Sequence, residues 1–144
     1  MFRIVEALLL RAGYPVRTLF DAPWRATTLA EFWARRWNRG FVDMTAILVH
    51  RPLRARFPHA EPLARFAGFG FSGVLHELAI SVPVGAGYGG PLLYFVLHGA
   101  LVELERRLAI RSRAWTFVAL LLPLPLLIHR PFLEGVIAPL LRTS

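Results

Sequence analysis

Two short stretches hold the residues best equipped for chemistry. One is FSGVLHEL, residues 71–78, where His76 and Glu77 interrupt an otherwise apolar run. An ionisable side chain at membrane depth is costly to bury, so it faces a cavity or a polar partner and marks a functional candidate. A neutral imidazole there can accept a proton as a general base. Ser72 lies one helical turn before His76 on the same face, and Gly73 leaves room for a second helix or a substrate chain to approach the backbone. Glu77 points roughly 100° away around the helix, so it is expected to bond another helix rather than orient the His76 ring. A plainer reading also stands, in which His76 bonds a neighbouring helix for packing alone.

The second stretch is EFWARRWNRG, residues 31–40. Taken alone, it reads as an interfacial helix that presents Phe32, Trp33 and Trp37 to the apolar or headgroup layer beside Arg35, Arg36 and Arg39. Asn38 is then a helix-terminus residue. His98 lies in a later apolar segment with no charge partner in its own turn, and reads as a packing residue. His50, His59 and His129 stand beside arginine or proline at segment ends, where interfacial placement accounts for them. None of these spacings matches a metal-ligand pattern such as H-E-x-x-H, so no metal is expected. The chain has no cysteine, which excludes disulfides, thiol nucleophiles and thiolate sites.

These residues must be held by elements that the composition places in a bilayer. Of 144 residues, 56% are hydrophobic and 18% charged, with the charges bunched between apolar runs. The mean hydropathy is +0.49. The net charge is +8 and all 17 basic residues are arginine. Those arginines flank apolar runs, which fits lipid headgroups rather than nucleic acid. Gly13, Pro15 and Pro23 break any long helix before residue 24. Phe2–Leu10 is apolar, but Glu6 interrupts it and no small-residue cleavage site follows, so it is not read as a signal peptide. Thr27 or Thr28 is expected to cap a helix from Leu29, with Glu31 close behind. Phe41–His50 reads as a helical piece too short to span. Spanning segments are expected near residues 64–82, 90–105 and 114–130, the last kinked or broken by Pro123 and Pro125. GAGYGG, residues 85–90, is a flexible connector. The predicted architecture is all-α: one multi-pass transmembrane domain over residues 1–144, with interfacial helices in its N-terminal half. The positive-inside rule puts the basic regions before residue 66 and over 106–113 in the cytosol and the glycine loop outside. The expected location is a bacterial inner membrane.

Together the two motifs form a recognisable pattern. Phe32, Trp33, Arg35, Arg36, Trp37 and Asn38 are followed by Ser72, Gly73, His76, Glu77 and Leu78, with the basic HRPLRARF (50–57) between them. This order, and the 38 residues from Asn38 to His76, resembles the wax-synthase branch of the membrane-bound O-acyltransferase superfamily over residues 24–82. The resemblance implies that His76 is a catalytic base in a tunnel that acyl-CoA enters from the cytosol. It implies that Asn38 bonds the reacting carbonyl or positions the acceptor, and that Arg35, Arg36, Trp37 and Ser72 contact substrate. No cofactor is implied, because acyl-CoA is itself a substrate. The other expected partners are a lipid alcohol and membrane lipids. Members of the superfamily have more spanning helices than the three counted here, so a second chain or self-association is expected to complete the tunnel. Two functions follow from different classes. One is transfer of a long-chain acyl group from acyl-CoA to a fatty alcohol, giving a wax ester; the other is a non-catalytic or truncated packing subunit that keeps the motif. A transporter is disfavoured, since one histidine and one glutamate make a sparse ion path.

Overall fold

A computed structural model describes residues 18–142, and every regular element among them is helical. The reading of Phe2–Leu10 lies outside the described residues. Helix α1 begins as Leu29–Glu31 and widens into a π-helical turn, Phe32–Arg36. Thr28 is its cap: the hydroxyl accepts from the Glu31 amide at 3.0 Å, while the Glu31 carboxylate accepts from the Thr27 amide at 2.9 Å. This reciprocal pattern satisfies amide groups that a helix start leaves without partners.

The chain then turns sharply. Trp37 is extended and Asn38 is left-handed, at φ 42° and ψ 60°. Asparagine tolerates that region better than most residues. Helix α2 runs over residues 39–56 as Arg39–Thr45, a π turn Ala46–His50 and Arg51–Arg56, longer at both ends than expected from sequence. Helix α3, Glu61–Val84, has 24 residues and contains a π turn at Glu77–Ser81, directly after His76. The π turns in α2 and α3 share one cause. A proline, Pro52 or Pro83, stands two residues beyond each. A proline ring collides with the carbonyl four residues earlier, and a widened turn relieves that clash without ending the helix.

Helix α4, Gly90–Arg107, follows a loop in which Gly85, Gly87 and Gly89 all take positive φ. Ser112 caps α5, Arg113–Leu121, and a short turn, Leu124–Leu127, follows Pro123. Helix α6 covers residues 130–142, and Arg130–Leu140 is bent 70° from Arg113–Leu127. Among the described residues, Glu61–Val84 alone can cross a bilayer unaided by length and composition, and the bent α5–α6 pair qualifies only if counted as one broken span. Two expected spans therefore fall short. Segment 114–130 is interrupted at its prolines, and α4 carries Glu103, Glu105, Arg106 and Arg107 in its last turns.

Helices α3 and α4 pack antiparallel through glycine. A Cβ on Gly73 would lie 3.0 Å from Leu92 Cα and 3.2 Å from its carbonyl oxygen, so the two backbones are in near contact. Gly99 of α4 instead receives the side chains of Phe66 and Phe69 of α3, at 3.0 and 3.3 Å from where its Cβ would lie. On another side of α3, α2 also runs antiparallel, with Thr45 and His50 against Gly68. The α1 strip lies along α4, where Ala26, Leu29, Phe32, Val102, Ala119 and Leu120 form a buried core. Outward-facing Leu63, Phe66, Val74, Leu78 and Val82 of α3 are all well exposed. An apolar face of that extent is normally covered by lipid or by another protein surface.

Candidate active site

The fold brings the two sequence motifs to one place. His76 lies about 12 Å along α3 from Val84, past the middle of the helix. Its Nδ1 is 2.7 Å from the Ser72 carbonyl oxygen. A carbonyl can only accept, so Nδ1 carries the proton and the lone pair sits on Nε2. Ser72 is buried and acts on the ring through its backbone, not through its hydroxyl. Phe95 of α4 packs against the imidazole with ring centroids 4.3 Å apart, and Phe41 of α2 approaches at 6.2 Å.

Phe41 is the link to Asn38. The Asn38 Oδ1 accepts from the Phe41 amide at 3.3 Å, capping α2, so Asn38 stands one turn from a residue whose ring touches His76. With Oδ1 so engaged, its Nδ2 group retains two N–H donors for another acceptor. Asn38 is thus the helix-terminus residue that its local sequence indicates. From the other side, Trp33 reaches Phe95 at 5.6 Å, so α1 also meets the wall that holds His76.

Several expectations need correction. Trp33, expected to meet an apolar or headgroup layer, meets the apolar interior of the protein itself, packing against Phe69, Phe95 and His98. Trp37 does stay outward, 42% exposed, stacked on Phe32 and edge-on to Phe20. Arg36, expected on substrate, is tied up inside the fold. It pairs with Glu31 at 2.6 Å and donates to the carbonyls of Asp21 and Ala22 at 3.1 and 3.3 Å. The Thr27 amide, with help from Arg36, holds the Glu31 carboxyl below its usual range. Arg35 and Arg39 instead line an open cavity of about 250 Å³ with Asp21 and Asp43. They are the better-placed contacts for an anionic group.

Glu77 leaves the His76 ring alone, as the helix geometry indicates. It accepts from the Gly89 and Leu92 amides at 2.7 and 3.2 Å, capping the start of α4 and anchoring the loop beside the site. Glu105 carries a role that sequence reasoning missed. Buried at the far end of α4, it accepts from the Leu29 and Ala30 amides at 2.7 and 3.2 Å and from the Trp115 indole at 3.1 Å. One carboxylate therefore fixes the start of the motif helix to α4 and α5. Its signal in the sequence was only a glutamate beside a basic cluster.

The remaining histidines are structural in placement. His50 packs against Gly68, and burial, then Arg65 and Arg54, lowers its pKa below the ordinary value. His129 Nδ1 accepts from the Phe132 amide at 3.3 Å, so Nε2–H donates to Ser81 Oγ at 3.3 Å. That tautomer has no lone pair facing Ser81 and cannot activate it as a nucleophile. His59 is exposed and His98 is fully buried.

Comparison with known proteins identifies the family. Residues 16–97, more than half the chain, match the model of the family described as membrane bound O-acyl transferase. Probable long-chain-alcohol O-fatty-acyltransferase 1 of Arabidopsis thaliana is 32% identical over 126 residues, covering 77% of this chain and 36% of that protein. Long-chain-alcohol O-fatty-acyltransferase of Simmondsia chinensis is 30% identical over 109 residues, 69% of this chain and 31% of that protein. Acyl-CoA--sterol O-acyltransferase 1 of Arabidopsis thaliana is 36% identical over 64 residues, 41% of this chain and 19% of that protein. The chain spans about a third of the length of the first two. No solved structure matches. With both motifs inside the matched residues and folded onto one wall, the chain belongs to the membrane bound O-acyl transferase family.

Proposed function

We propose that the protein transfers a long-chain acyl group from acyl-CoA to a fatty alcohol or similar lipid hydroxyl, giving an ester and free CoA. The observation that carries this reading is the His76 tautomer, fixed by the Nδ1 bond to the Ser72 carbonyl at 2.7 Å. His76 Nε2 takes the proton of the alcohol as its oxygen attacks the thioester carbonyl. The C–S bond breaks as the tetrahedral oxyanion collapses, and the departing thiolate receives the proton. The Asn38 Nδ2 donors stabilise the oxyanion, a placement that favours charge developing in the transition state. Arg35 and Arg39 hold CoA phosphates at the mouth of their cavity. Trp37 and Ser72 remain proposed substrate contacts, whereas Arg36 serves the site by bracing α1.

Multi-pass insertion belongs to the same proposal, supported by family membership and by the outward apolar face of α3. The cytosolic placement of the arginine-rich regions and a bacterial inner membrane are carried with it; the relatives named above come from plants and bear on neither. A second chain or self-association closes the tunnel, for which the exposed apolar surface leaves room. The test is purified protein in liposomes given labelled palmitoyl-CoA with dodecanol, diacylglycerol or a sterol in parallel. Labelled ester with dodecanol supports the reading. Ester only with sterol or diacylglycerol overturns the acceptor, and no ester with any acceptor favours the packing subunit.

A further inference from the structure

Among the described residues, Arg65 Nε, His98 Nε2 and Trp33 Nε1 are buried without a hydrogen-bond partner, and the last two belong to neighbouring rings. Their rings meet edge-on with centroids 5.4 Å apart. His98 is completely shielded from solvent, and its Nδ1 lies 2.8 Å from the Tyr94 carbonyl oxygen. That carbonyl takes the ring proton, so Nε2 presents a lone pair, while the Trp33 indole presents an N–H. The Ala119 backbone also approaches the imidazole, without a hydrogen bond reaching Nε2. A buried donor and acceptor left unmet cost about 1–3 kcal/mol each, so native interiors supply a partner. One oxygen can serve both. A hydroxyl accepts from an indole N–H and donates to an imidazole lone pair, bridging nitrogens up to about 6 Å apart.

We infer that His98 and Trp33 form a binding site for a single hydroxyl group, that of a water molecule or of a lipid alcohol. The location gives this consequence. Trp33 belongs to the first motif and contacts Phe95, which lies on the His76 ring. Tyr94 closes the other side, stacked on His98 at 4.1 Å with its own hydroxyl donated to the Leu120 carbonyl at 3.2 Å. The hydroxyl site therefore lies behind the same aromatic wall as the base, separated from it by one ring. The alcohol as occupant rests on the acyl-transfer reading; the hydroxyl site itself does not.

The test reads binding rather than turnover. The full chain, labelled with ¹⁵N-tryptophan in detergent micelles, gives an indole signal from each of its four tryptophans, and Trp33→Phe assigns the one of interest. Titration with 1-dodecanol shifts the Trp33 indole saturably if the alcohol occupies the site, and dodecane does not. Half-saturation then rises about tenfold in His98→Phe, the loss expected for one hydrogen bond, and stays near the native value in His98→Gln, which keeps an acceptor. If dodecanol gives no shift but the indole proton shows a cross-peak to a long-lived water, the hydroxyl site stands with water as its occupant. An indole with neither response overturns the inference and assigns the pair to edge-on ring packing. Should a variant fail to fold, the response of the native chain decides the question alone. A protein that shifts with dodecanol yet makes no ester keeps this site and loses the acyl-transfer reading.

Discussion

Asn38 has two roles that substitution can separate. Its left-handed backbone favours Asn or Gly, its Oδ1 caps α2, and its Nδ2 is the proposed oxyanion donor. Asn38→Asp keeps the turn and the cap but loses both N–H donors. Asn38→Gly keeps the turn and weakens the cap by only a few tenths of a kcal/mol. Asn38→Ala loses the cap, about 1 kcal/mol, and forces an alanine to positive φ, about 1 kcal/mol more. Denaturation in detergent should therefore rank the variants Asn and Asp together, Gly slightly below and Ala lowest, about 2 kcal/mol down. Ester formation should follow a different order. All three variants lack the donor and should lose about 10²–10³-fold in rate, including the fully stable Asp form. Acyl transfer near native levels in Asn38→Gly or Asn38→Asp would refute the donor role and leave Asn38 as a cap. An alanine variant as stable as the glycine one would refute the backbone reasoning.

Three further perturbations test how the site is held. Gly73→Ala sets a methyl about 3 Å from Leu92 backbone atoms, which cannot swing aside, so α3 and α4 must part; a loss of about 1–3 kcal/mol is expected in detergent denaturation. Glu105→Ala leaves the Leu29 and Ala30 amides and the Trp115 indole without their acceptor, and should cost at least about 3 kcal/mol, with Glu105→Gln in between. His50 binds protons less readily in the fold than in the unfolded chain, whose pKa is the ordinary 6.5. Its contribution to stability is therefore complete above pH 6.5 and is lost as pH falls from there toward the depressed folded value. Thermal unfolding followed from pH 8 to about pH 5 should show this decline, and His50→Gln should flatten it.

Local signals in the sequence located the parts whose causes are local. The Thr28–Glu31 cap and the glycine connector depend on residues within a turn or two, whereas Gly73 and Glu77 stood out by residue type and helix face, their partners lying on α4 and the loop before it. His76 stood out because burying an ionisable group is expensive wherever its partners lie. What escaped were contacts set by packing between distant segments. Trp33 reads as facing an apolar or headgroup layer and Arg36 as a substrate contact, yet α1 lies against α4, which turns Trp33 into the core and pairs Arg36 with Glu31. Glu105 is separated from Leu29 by 76 residues and no periodicity connects them. The left-handed turn at Asn38, which sets α1 and α2 around the His76 wall, depends on where both helices dock rather than on either helix alone.

The central claim is that His76 Nε2 removes the alcohol proton during acyl transfer. Its most direct test is the initial rate of labelled ester from palmitoyl-CoA and dodecanol in liposomes, measured for the native protein and for His76→Ala at matched helicity. Loss of a general base predicts a fall of about 10²–10⁴-fold. Ester formation that continues at the native rate in His76→Ala contradicts the claim.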